Sequence, residues 1–218
     1  MSRSKLLEDL MAELATSKKQ TVKQQRIIES AIELFAEKGY ANTSTAEIAK
    51  LAEVAEGTIF KHYGTKDNLL LSIIVPYLKD FFPAMADEVF KEIMSQEIST
   101  FEGFFKALFK NRIEFIQENK EIFQVVIKEI MYKEDLKNEL LPHFFANISG
   151  RLIKTIELFK DRGELIDLPS ERILKMLVTF IGGFFVSRFV LLPNYIISDE
   201  EVEDVVQFVM EGIRRHQV

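Results

Sequence analysis

Apolar residues recur at helical spacing along nearly the whole chain. Ile27, Ile28, Ala31, Ile32, Leu34 and Phe35 mark one stripe, which Gly39 ends as a left-handed cap. Ile48, Ala49, Leu51 and Ala52 mark a second. Ser44 opens it with Glu47 three residues on, a pairing in which each side chain satisfies the other's orphan backbone donor. That helix must stop near Glu53-Val54-Ala55, and another restarts at Glu56 and runs to Tyr63. Thr65-Lys66-Asp67 opens a further stripe through Leu69, Leu70, Ile73 and Ile74, which Pro76 is expected to kink or end. Helical patterns follow at about 83–96, 100–118, 120–131 and 134–161, broken by Arg162-Gly163-Glu164. Two last helices cover Ser170–Leu192 and Asp199–His216, separated by Pro193-Asn194. No segment alternates with period 2 for long enough to make a strand, so the fold class is all-α.

Two short helices joined by a tight turn, at 44–63, form the shape that lays its second helix in a DNA major groove. The net charge of −6 opposes nucleic acid, but its distribution softens that. Residues 1–66 carry 10 basic and 9 acidic side chains, whereas residues 67–218 carry 18 and 25. The acidic excess therefore lies outside the helix-turn-helix, and non-specific affinity should be modest and salt-sensitive. The chain has no cysteine, which excludes disulfides and thiolate metal sites and fits a reducing, cytoplasmic compartment. Glu8, Asp9 and Glu13 interrupt the early apolar residues, so no signal peptide is expected. The most apolar run, Met176 to Ser187, is shorter than the roughly 20 residues a bilayer needs, and no membrane association is expected.

The run Ile27…Ala31-Ile32-Glu33-Leu34-Phe35-Ala36-Glu37-Lys38-Gly39-Tyr40, then Thr43-Ser44-Thr45…Ile48-Ala49, then Glu56-Gly57-Thr58-Ile59-Phe60-Lys61-His62-Tyr63…Lys66-Asp67…Leu69, resembles the tetracycline-repressor (TetR) family. The resemblance covers about 50 residues in continuous order and spacing. It implies a homodimeric bacterial transcriptional repressor with an N-terminal three-helix DNA-binding domain and a variable helical domain for a small inducer. The domains expected are an arm at 1–20, a helix-turn-helix domain at 21–66, and a ligand-binding and dimerisation domain at 67–218. Glu53 stands where the family usually has Gly, at a cost of roughly 1 kcal/mol if that residue is left-handed. Phe60 stands where the family often has Tyr, which removes a phosphate-directed hydroxyl.

Residue by residue, Gly57 lets the backbone approach a base edge or phosphate. Thr58 and Lys61 lie three apart on one helical face, and Lys61 reaches guanine acceptors or a phosphate. His62, Tyr63 and Lys66 converge on the duplex backbone, and Thr45 offers a hydroxyl and amide for the same purpose. The resemblance carries DNA contact onto Thr45, Gly57, Thr58, Lys61, His62, Tyr63 and Lys66, with Ala55 and Glu56 as further base-edge readers. Phe60 joins the DNA-contact set, although it and Tyr63 could instead be core aromatics of a small bundle. Ile59 is read as core.

Seventeen of the 19 Phe lie beyond residue 66, often as doublets. One member of a doublet faces a bundle core and its neighbour, about 100° round the helix, another surface. A cavity lined by Phe104, Phe105, Leu108, Phe109, Phe123, Ile127, Phe144, Phe180 and Phe184 would take a greasy inducer, of fatty-acyl or lipophilic-drug type. The alternative is that this Phe only packs a core. Asn111, Arg112, Tyr132, His143, Asn147 and Arg151 could orient the ligand, with surface ion pairs the plainer role for the two arginines. Dimerisation is assigned to the last two helices through Ile173, Leu177, Ile181, Phe185, Arg188, Val202, Val206, Val209 and Ile213, with Gly182-Gly183 permitting close approach. The apolar stripe at Leu6, Leu7, Leu10, Met11 and Leu14 favours a short amphipathic helix in the arm over a minor-groove arm or a disordered tail.

No catalytic, cofactor or metal site is expected: His62, His143 and His216 lack metal spacing and no hydrolase or phosphate-loop motif occurs. A helical adaptor would explain the apolar helices but not the ordered helix-turn-helix, and an activator remains open beside a repressor. The implied mechanism is a dimer whose ligand changes the spacing of two reading helices through the helix that begins at Lys66, with Pro76 and Pro83 as pivots. Reversing a 99:1 population asks for about 10⁴-fold preference of the ligand for the released state.

Overall fold

The computed structural model describes Leu6 and residues 21–95, 99–192 and 196–214, apart from the side chains at 78–86, 88, 92–95, 139, 143, 144, 147 and 148. The arm at 1–20 (Leu6 aside), Pro193-Asn194, His216 and the side chains of His143, Phe144 and Asn147 lie outside the described residues. Among the described residues there are nine α-helices and no strand, only an isolated bridge between Leu165 and Arg214. Two compact units divide the chain. One runs up to Asp80 and takes in Glu118–Tyr132; the other is Phe81–Gln117 with Lys133–Val218.

In the first unit, α1 (Val22–Lys38) starts at a Thr21–Gln24 capping box and ends at Gly39, φ 82°. Its six stripe residues are all buried. Thr43, itself buried, donates its hydroxyl to the Gly39 carbonyl at 2.8 Å and fixes the chain's entry into α2 (Thr45–Leu51). Ser44 and Glu47 close the expected capping box on α2. Glu53 takes φ 55° in the turn, and Val54 N–H donates back to Ala49. The next helix, α3 (Glu56–Tyr63), stops at Gly64, φ 76°.

Helix α4 (Lys66–Ser95) passes through both Pro76 and Pro83, so of the two outcomes expected at Pro76, a kink or an end, the end does not occur. An interior proline forfeits a hydrogen bond and costs about 3 kcal/mol. Leu69, Leu70, Ile73, Ile74, Val75 and Tyr77 are all buried around Pro76, and burying them is worth more than that bond. What the pattern separated at Pro76 is therefore one helix. The first unit is completed by α6 (Lys120–Tyr132).

The second unit holds α5 (Phe101–Glu118), α7 (Glu134–Asp161, with Pro142 inside it), α8 (Ser170–Phe185) and α9 (Asp199–Ile213). Helix α8 packs on α7. It continues as a π-helical segment, Val186–Leu191, where a single α-helix to Leu192 was expected. Together they make 22 residues long and apolar enough to cross a bilayer, longer than the Met176–Ser187 run considered from sequence. An aromatic ladder forms the core: Phe101, Phe105 and Phe109, one turn apart on α5, stack with centroids 6.4 and 5.9 Å apart. Phe109 then meets Phe184 and Phe185, and Phe185 meets Phe189. Ion pairs Lys106–Glu203 (2.6 Å) and Lys110–Asp199 (3.2 Å) lace α5 to α9.

Candidate nucleic-acid interface

Helix α3 buries one side chain, Ile59, at 1% exposure. Tyr63, less than half a turn from it around the helix, is half-buried, and burial pushes its phenol pKa upward. The opposite face presents Gly57 and Lys61, with Thr58 and His62 on one flank and Glu56 and Phe60 on the other. Ala55, Glu56, Gly57, Phe60, Lys61 and His62 are all exposed. Phe60, at 49%, is thus no core aromatic. A Cβ added at Gly57 would meet nothing within 4 Å, so the backbone there stands open to an approaching duplex. Among the described residues Lys61 enters no ion pair.

Two residues expected at the duplex are engaged inside the unit. Thr45 Oγ1 donates to Glu56 Oε1 at 2.6 Å, bracing the start of α2 against the start of α3. Lys66 Nζ donates to the Tyr40 and Thr43 carbonyls, each at 2.8 Å, and sits 4.2 Å from the centre of the Tyr40 ring. Its ammonium clamps the α1–α2 connection instead of reaching for phosphate. Long-range folding sets that choice, which sequence spacing does not carry.

Several supporting residues were missed from sequence. Tyr40 donates to Asp67, and Asp67 also pairs with Lys128 on α6 at 3.2 Å. Burial first, then Asp67, pushes the Tyr40 phenol up. At Asp67 burial acts upward, but the bonds from Tyr40 and Lys128 outweigh it and hold the carboxyl below its ordinary value. Glu121 accepts from Ala41 N–H at 3.0 Å. Lys38, the last residue of α1, bonds Glu47 on α2 at 2.8 Å, and with the Ser44 amide and hydroxyl it lowers the Glu47 carboxyl to about 2.

Residues 27–73 match the sequence model of the bacterial regulatory proteins of the tetR family. Those residues, which span α1 to the first turns of α4, therefore carry the DNA-binding segment of that family. The curated relatives it resembles are regulators of the helix-turn-helix type. It is 26% identical over 149 residues to the fatty acid metabolism regulator protein of Bacillus subtilis, covering 64% of this chain and 71% of that one. Among solved structures, a transcriptional regulator from Saccharomonospora viridis in complex with choline superposes with a TM-score of 0.60. The identity there is 19%, with 90% of this chain and 100% of that chain covered. Thermus thermophilus FadR, a TetR-family repressor in complex with lauroyl-CoA, superposes at 0.53, with 22% identity and 89% and 97% covered. At these identities the two superpositions establish a shared fold.

The residues expected in a ligand cavity are divided between the two units. Phe123, Ile127 and Tyr132 lie on α6 in the first unit, where Tyr132 is 82% exposed. Phe104, Phe105 and Phe109 are buried ring against ring, which corrects the cavity reading toward core packing for these three. Leu108 is half-buried, and the half-buried Asn111 accepts from Arg112 at 3.1 Å. Arg151 pairs with Asp87 at 2.6 Å, the plainer of its two roles. Phe180 and Phe184 line a groove of about 740 Å³ between α8 and α9, with Gly183, Arg188, Glu201 and Phe208.

The dimer set is corrected as well. Ile173, Val202, Val206, Val209 and Ile213 are buried in the chain's own second unit, and none is free for a partner. Leu177, Ile181 and Phe185 are half-buried. Arg188 bonds Glu201 at 2.8 Å within the chain. The large apolar side chains these two helices leave exposed are Met176, Phe180 and Phe208, the last two stacked at 5.3 Å.

Proposed function

We propose that this protein is a repressor that binds a pseudo-palindromic operator as a homodimer and is released by a hydrophobic inducer of fatty-acyl type. The observation that carries the DNA half is the face of α3: Ile59 anchors it, and Gly57, Phe60, Lys61 and His62 are left outward. In this reading Gly57 and Lys61 enter the major groove, where Lys61 meets guanine acceptors or a phosphate. Thr58, His62 and Tyr63 grip the walls, and Phe60 packs on sugar or a thymine methyl. Ala55 stands at the edge of the contact. Lys66 contributes its backbone amide at the start of α4, since its ammonium is engaged. Two-fold symmetry then sets half-sites about 34–36 Å apart, or a multiple of that.

The dimer face in this reading is the exposed apolar set Met176, Phe180 and Phe208 around Gly182-Gly183. It also accounts for the apolar length of α8 and its continuation without a membrane. The inducer class is supported by the aromatic content of the second unit, by the fatty acid metabolism regulator among the relatives and by the lauroyl-CoA complex among the structures. The choline complex of a similar fold marks the competing ligand chemistry.

The test is release of a bound duplex. Lauroyl-CoA is expected to dissociate the protein from its selected operator in a mobility-shift assay, while choline leaves the complex intact. Release by choline and not by lauroyl-CoA overturns the acyl assignment, and binding without any symmetric consensus overturns the dimeric one.

A further inference from the structure

Glu56 places a carboxylate on the flank of the reading helix, where phosphate oxygens would repel it. It lies in the first turn of α3, exposed, next to Gly57, whose missing side chain leaves open space. The carboxylate is not loose: the Thr45 hydroxyl, from the start of α2, donates to its Oε1 at 2.6 Å. One oxygen is thereby held and the other left to accept a further donor. An ionised carboxylate only accepts hydrogen bonds. In the major groove the only base donors are the amino groups of cytosine and adenine; guanine and thymine present acceptors there that a carboxylate opposes.

We propose that Glu56 is a base-reading residue that selects cytosine through its N4 amino group, with Thr45 as the positioning residue that aims it. The assignment rests on α3 occupying the major groove. Cytosine is chosen over adenine because adenine sets its N7 acceptor beside the N6 amino group, against the second carboxylate oxygen, whereas cytosine has no acceptor on that edge. An acid in the first helical turn also favours the helix dipole, and Ala55 gives α3 no side-chain cap. That role alone would change affinity equally for every sequence. A reader changes one position.

The experiment is selection of bound duplexes from a random pool by the full-length protein, run in parallel with Glu56→Gln, Glu56→Ala and Thr45→Val. Wild type is expected to enrich cytosine at one position of each half-site. Glu56→Gln should move that position to adenine, which glutamine reads in bidentate fashion. Glu56→Ala should flatten that position and leave the rest of the consensus, and Thr45→Val should loosen the same position alone. Replacing the selected cytosine by N4-methylcytosine, whose methyl group covers the major-groove donor, should weaken wild-type binding about tenfold or more and leave Glu56→Ala unchanged. An unaltered base profile in both Glu56 variants, or guanine or thymine at the position they affect, overturns the proposal. Failure of wild type to enrich any duplex overturns the DNA reading beneath it, which separates the two.

Discussion

Helix α3 buries one of its eight residues, Ile59, whereas α9 buries six of fifteen: Val202, Val205, Val206, Val209, Met210 and Ile213. Both helices were assigned to an interface, α3 to DNA and α9 to a second subunit. On α3 the residues named for contact are exposed at Glu56, Gly57, Phe60, Lys61 and His62 and half-buried at Thr58 and Tyr63. On α9 those named are inside, and the exposed apolar residue is Phe208, at 65%. The difference lies in what the pattern encodes. An apolar stripe marks the face a helix buries, and the nearest thing to bury it against is the chain's own core. A contact surface is what is left over, so on α9 it is the residue outside the stripe.

The largest expected effect tests the anchor of α3. Ile59→Ala should cost about 2–5 kcal/mol of stability in urea unfolding, as a fully buried side chain is lost and a cavity left. Phe60→Ala beside it should change stability by no more than about 0.5 kcal/mol. Equal losses from both would place Phe60 in the core and break the contrast. Next comes the face of α9. Phe208→Ser should weaken dimerisation by about 2 kcal/mol or more in sedimentation equilibrium while helix content stays intact. A dimer untouched by this change, but lost in a variant of Met131 or Tyr132 on α6, would move the interface to another exposed apolar surface.

Smaller effects probe the turn that sets the two helices of the motif. Glu53→Gly should stabilise the protein by roughly 1 kcal/mol, because φ 55° costs a side-chain-bearing residue and not glycine. Loss of the Arg26–Glu53 pair takes back only a few tenths of that, since both side chains are exposed. The smallest effect is acid sensitivity at Glu47. Its folded carboxyl is depressed to about 2 from 4.5, so the stability it adds is fully present above its unfolded pKa and is lost as pH falls through that interval. Glu47→Gln should be less stable than wild type at neutral pH and should flatten the fall in stability between pH 4.5 and 2. An identical acid limb in the two proteins would remove Glu47 from it.

Much of the first unit was legible in sequence because its signals are local. Ser44 with Glu47, Gly39 and Gly64 fix helix ends through caps made within a few residues, and α3 begins and ends where the pattern put it. Glu53 takes the left-handed geometry its position asks for. What escaped was set at long range. Pro76 does not end α4, because burial on both sides of it outweighs one lost hydrogen bond. The Lys66 ammonium turns inward to the Tyr40 and Thr43 carbonyls, 26 and 23 residues earlier. Glu121 and Lys128 reach Ala41 and Asp67 from α6, some 80 and 61 residues apart in the chain. In the second unit, the stacking of Phe101, Phe105 and Phe109 follows from their spacing of four. Their choice of one another over a cavity does not.

That the outward face of α3 reads DNA is tested most directly by equilibrium binding of a selected duplex across a salt series, for wild type and Lys61→Ala. Wild type should bind a palindromic consensus. Lys61→Ala should bind it about tenfold more weakly, with the salt slope smaller by about one if the lysine meets a phosphate, or with one base position relaxed if it meets guanine. A folded, dimeric wild-type protein that enriches no duplex at low salt, or a Lys61→Ala variant that binds indistinguishably, would contradict the account.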